Sequence, residues 1–103
     1  MNLARVEIDD QAYLLLGTDL DAIGALRLGL LVRLAVVAPG ANGNLRVVEV
    51  ISDSIWSRHP DTPADAGDNG DAIRLLCEGW LGRHGGKLPP SALFAIRIVR
   101  QRS

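Results

Sequence analysis

Cysteine is nearly absent: Cys77 stands alone among 103 residues, so no disulfide can form within the chain. That usage fits a reducing compartment, and a cytoplasmic location is the expectation. Aromatic residues are almost as scarce, with two Trp, one Tyr and one Phe, which leaves few rings to stack on nucleic-acid bases. There is no apolar run fit to span a bilayer. The longest, Ala22 to Ala38, is interrupted by Arg27 and Arg33, each costing about 3 kcal/mol at a bilayer centre. Met1 to Glu7 lack the apolar run of a secretory signal. Lysine occurs once against ten arginines, a coding bias that points to a bacterial or phage source.

What is present is an ordinary globular balance, with 48% hydrophobic and 22% charged residues and a net charge of -1. At 103 residues the chain is one domain, residues 1–103, long enough to bury a core unaided. The charge is unevenly laid out. Met1 to Ile23 and His59 to Gly82 are acidic, whereas Arg83 to Ser103 holds five basic residues and no acid.

The clearest local pattern lies in the middle of the chain. Leu26, Leu28, Leu30, Val32, Leu34 and Val36 make one uniformly large apolar face and alternate with a mixed set, Arg27, Gly29, Leu31, Arg33, Ala35 and Val37, the signature of a half-buried strand. Gly40 to Asn44 form a turn cluster, and Leu45 to Ile51 return as the second arm of a long hairpin. A three- or five-residue loop pairs Val36 with Val48, Leu34 with Val50 and Leu28 with Trp56. The alternative two-residue loop puts Glu49 opposite Val36 on the apolar face, so the first register is expected. Arg33 then has Glu49 and Asp53 as diagonal neighbours. A capping signal at Thr18 to Asp21 offers a competing helix from Asp19 to about Leu30, which Arg27, Gly24 and Gly29 oppose.

Around this hairpin, Ala4 to Ile8 and Ala12 to Gly17 read as two short strands joined at Asp9-Asp10. His59 to Gly70 is a Pro-, Gly- and Asp-rich loop, and Asp71 opens a helix whose buried stripe is Ile73, Leu76, Cys77 and Trp80. Gly85-Gly86 and Pro89-Pro90 end it. Leu93 to Val99 is a last strand. The expected fold is α+β: an antiparallel sheet of about four to five strands with a central long hairpin, packed on one main helix. The alternative is a ferredoxin-like β-α-β-β-α-β order.

No segment carries a catalytic, nucleotide-binding or metal-ligand motif, so no cofactor and no metal are expected. Asp65 to Asp71 fails as a calcium loop, because Gly67 and Leu76 occupy its third and twelfth positions. Cys77 falls on the helix's apolar stripe, the place of a core residue rather than a nucleophile. The constellation with chemical content is the odd face of the sheet. It gathers Arg27, Leu31, Arg33, Glu49, Ile51, Asp53, Ile55 and Arg97, too apolar for a face meant only for water. The N-terminal hairpin, a second copy or a foreign partner should cover it.

The leading expectation is therefore a protein-interaction module of the inhibitor, immunity or assembly-factor kind, acting with a protein partner or as a homodimer. The alternative is a small enzyme or binder of an anionic ligand. There Arg33 and Arg97 would hold the anion, and Asp53, Glu49 or His59 would move a proton. A nucleic-acid binder using Arg97, Arg100 and Arg102 ranks third.

Overall fold

The computed structural model describes residues 3–26, 28–56 and 72–101, with the side chains of 56, 100 and 101 left out. The elements run in the order β1 (Ala4–Ile8), β2 (Gln11–Gly17), α1 (Leu20–Gly24), β3 (Leu30–Pro39), β4 (Leu45–Trp56), α2 (Ala72–Arg83) and β5 (Leu93–Gln101). They form a five-stranded sheet, ordered β1-β2-β5-β3-β4, in which every pairing is antiparallel. The class is α+β. No described helix is long and apolar enough to cross a membrane.

Local chemistry explains most boundaries. Asp9 and Asp10 both take positive φ, 52° and 65°, as a tight two-residue hairpin turn requires. Asp19 caps α1, its carboxylate accepting from the backbone N–H groups of Asp21 and Ala22. That helix is only five residues long, so neither reading of this segment holds in full. The capping signal produces a helix, but it ends at Gly24. The strand begins at Leu30 rather than Leu26, because Gly29 has φ 65° and breaks the extended run. At the far end of α2, Gly86 N–H bonds back to Leu81 C=O, with Gly85 and Gly86 at positive φ, a glycine stop.

The face formed by Val32, Leu34 and Val36 of β3 and by Phe94 and Ile96 of β5 is sealed by α1 and α2. Ile23, Ile73, Cys77 and Trp80 are the helical contribution to this core, all nearly inaccessible. Trp80 meets Phe94 edge to face at 6.2 Å, an arrangement that contributes about 0.5–1.5 kcal/mol beyond burial.

The β3–β4 register departs from the expected one. At the loop end it is as expected, with Val37 opposite Val47 and Pro39 opposite Leu45. Val48 is then an extra residue on β4, so Val36 faces Glu49, the pairing that sequence reasoning rejects. Val50 follows opposite Ala35 in that same register, and further shifts put Ser52 opposite Leu34, Ile55 opposite Val32 and Trp56 opposite Leu31. Each bulge sets two β4 residues against one on β3 and re-aims the side chains beyond it. Glu49, Ile51 and Ile55 therefore leave the odd face for the helix-covered one, where the two isoleucines pack against the main core.

The other face has its own smaller core: Ile8, Tyr13, Ala35, Val37 and Ala95. Its lid is the N-terminal hairpin. β2 pairs with β5 only from Gly17 to Leu14, opposite Phe94 to Ile96. Past that point the β1–β2 hairpin leaves β5 and folds over the odd face, bringing Ile8 and Asp9 beside Leu45 and Arg46. Ala35 and Ala95, opposite each other and fully buried, are small enough to let the Tyr13 ring and Ile8 pack close.

Candidate functional site

Where β2 parts from β5, the two strands leave a fork. A cleft of about 250 Å³ occupies it, with Arg5, Gln11 and Tyr13 on the hairpin side and Arg97 and Ile98 on the β5 side. Tyr13 is 5% exposed. Its ring is fixed in the smaller core while its hydroxyl makes no hydrogen bond among the described residues. Arg5 and Arg97 likewise have no ion pair among the described residues. Three residues that carry hydrogen-bond donors, two of them permanently charged, thus line one cleft, Tyr13 and Arg97 from the odd face and Arg5 from the side of Leu14 and Ile96, without partners of their own among the described residues.

The neighbouring pair sharpens the electrostatics. Arg33 lies directly across from Arg97 in the β3–β5 ladder, and like charges so placed repel. Arg33 is compensated by Asp53, whose Oδ1 lies 3.2 Å from Arg33 Nε. The contact is an ion pair rather than an aligned hydrogen bond, since that Nε has no partner of hydrogen-bond geometry. Arg97 has no such acid among the described residues, and an anion in the fork would supply one.

A second cluster joins β4 to the end of α2. Trp80 Nε1–H donates to Glu49 Oε2 at 3.0 Å, and His84 stacks on the indole with centroids 3.8 Å apart. His84 Nδ1 lies 2.8 Å from the Trp80 carbonyl; a carbonyl only accepts, so Nδ1 carries a proton. Nε2 points toward Glu49 Oε1 at 3.8 Å. This geometry closes one of the helix's terminal carbonyls and ties the bulged strand to α2. Proton transfer between Glu49 and an anion on Arg97 is excluded by position, because the sheet separates them.

Cys77 is fully buried. Burial, reinforced by the neighbouring Glu78 charge, pushes its thiol up to about 12, which removes the thiolate that nucleophilic chemistry needs. Among the described residues no group of three or more His, Cys, Asp or Glu could hold a metal ion.

Of the residues singled out from sequence, the structure brings Arg33, Asp53 and Arg97 together, with Leu31 half-buried beyond them on β3. Glu49, Ile51 and Ile55 are on the opposite face, while Arg27, His59 and Arg102 lie outside the described residues, as does the side chain of Arg100. Arg5 and Tyr13 escape sequence reasoning. Nothing local marks them, since they reach Arg97 only through the β2–β5 pairing. Comparison with known protein families, with curated proteins and with solved structures finds no match.

Proposed function

We propose that the protein is a binding module that recognises an anionic group, a carboxylate or phosphate, in the fork between β2 and β5. One observation carries this reading: Arg5, Tyr13 and Arg97 all line a single cleft and make no ion pair or side-chain hydrogen bond with the other described residues. Arg97 and Arg5 supply charge and planar donor pairs suited to such groups. Tyr13, fixed by its buried ring, supplies a directional O–H. The volume suits a single small anionic group rather than a nucleotide.

A binding role fits this site better than catalysis. Asp53, the acid that faces Arg33 on the odd face, is engaged by it and is 79% exposed at its side chain, a poor setting for a tuned general base.

Thermal unfolding with inorganic phosphate, sulfate and glutarate at about 10 mM tests the reading. A ligand binding at about 1 mM would add about 1.4 kcal/mol of stability, and Arg97→Met would abolish the gain. If none of the three anions raises the transition, or if Arg97→Met responds as the parent does, the proposal fails.

A further inference from the structure

The separation of β2 from β5 leaves more than a cleft. From Arg97 onward β5 pairs with β3 on one side. Its other edge has no strand beside it among the described residues. A strand edge is a row of unmet backbone N–H and C=O groups, a ready template for another extended segment. On this stretch Ile98 and Val99 are 44% and 43% exposed. The free edge begins where the anion cleft lies.

The other two edges are guarded. β1 is only five residues long, and β4, though twelve, carries three register shifts. Bulges and short edges are the usual defence against unwanted pairing. The open part of β5 carries a single register shift, at Val99, and differs from both in starting at a cleft lined by Arg97, a cation unpaired among the described residues.

We infer that the anion is carried by an acidic, extended segment of a partner protein, which adds as a strand to the free edge of β5 beyond Ile96. This rests on the anion reading above. Side chains alternate along an added strand. A carboxylate on one face of the guest therefore meets Arg97 in the fork, and an apolar residue on the other meets Ile98. The matching pattern is an alternation of acidic and β-branched residues. A second copy of this chain is the wrong guest, because Arg83 to Ser103 holds five basic residues and no acid. Pairing two such strands would set like charges side by side.

The probe is the acetylated, amidated hexapeptide Val-Glu-Val-Glu-Val-Glu, titrated into the full chain at low salt and followed by amide NMR and hydrogen exchange. Alternate amides between Arg97 and Gln101 should exchange about tenfold more slowly with peptide bound. A version N-methylated at every second residue keeps its carboxylates but cannot complete the ladder, and should bind about tenfold more weakly. If both peptides bind equally and both need Arg97, strand addition is refuted and anion recognition survives. Strand addition is likewise refuted, and anion recognition kept, if free phosphate binds through Arg97 and neither peptide does. If neither phosphate nor peptide binds, both readings fall together.

Discussion

Removing the charge of Arg97 should make the free protein more stable. Arg33 and Arg97 face each other across β3 and β5, and directly opposed side chains start from Cβ atoms about 4.5–5.5 Å apart. At about 5.5 Å two unit charges repel by about 0.8 kcal/mol in water and about 3 kcal/mol at an effective dielectric of 20. Asp53, bonded to Arg33 by charge at 3.2 Å, cancels much of this, so a net repulsion of about 0.5 kcal/mol is expected. Arg97→Met deletes the charge and keeps an unbranched apolar stem against the sheet. For a domain of this size the gain corresponds to about 2–4 °C in the midpoint of thermal unfolding.

Calorimetry of parent and variant at low and at about 0.5 M salt reads it out. Screening should shrink the difference at high salt, where charges more than a few ångströms apart barely interact. Arg33→Met is the comparison: it removes the same repulsion but also the Asp53 pair, and should gain nothing. With phosphate present the order should invert, the parent becoming the more stable. A lower midpoint for Arg97→Met at low salt, or a gain indifferent to salt, would refute the idea that Arg97 is a charge left waiting for a ligand.

Three further outcomes follow from the other face. A thiol held at about 12 instead of 9.0 has about a thousandth of the usual thiolate at pH 8. Cys77 should therefore resist a disulfide reagent in the native protein and react at once in urea; rapid native labelling would mean that α2 does not hold it against the sheet. The raised value also sets a pH dependence: the thiol's contribution is complete below about 9 and is lost as pH rises toward about 12. Urea titrations should show stability falling in that window, and less steeply in Cys77→Ala. Glu49→Ala should cost about 1–3 kcal/mol by orphaning the Trp80 indole N–H. Glu49→Gln, which keeps an acceptor, should cost distinctly less, and equal losses would show that the hydrogen bond contributes little.

The parts of this fold legible from sequence are those set by neighbours along the chain. Ile73, Cys77 and Trp80 fall on one helical face, and Val32, Leu34 and Val36 on one face of a strand, because periodicity decides both. Asp9-Asp10 turns because short acids tolerate left-handed backbone. The bulges of β4 are not legible: Val47 to Ile55 contain no Gly or Pro to mark them, and they arise from how the strand fits its partner. One of them suffices to carry Glu49 to the other side of the sheet. The candidate site is half visible in the same way. Arg33, Asp53 and Arg97 follow from alternation, whereas Arg5 and Tyr13 join them through a pairing between the two ends of the chain.

The sheet order has a consequence for how the protein is made. β5, the last strand, is inserted between β2 and β3, so most of the sheet has no continuous ladder until residues beyond Leu93 have been synthesised. On the ribosome only the two local hairpins, β1–β2 and β3–β4, can form early, as separate ribbons of marginal stability. Until β5 arrives, Val32, Leu34 and Val36 have no strand beside them on one flank, and the emerging chain is exposed to pairing with the wrong neighbour. Folding is therefore a closing event that follows translation of the final strand, and loss of that strand would leave two hairpins rather than a shortened domain.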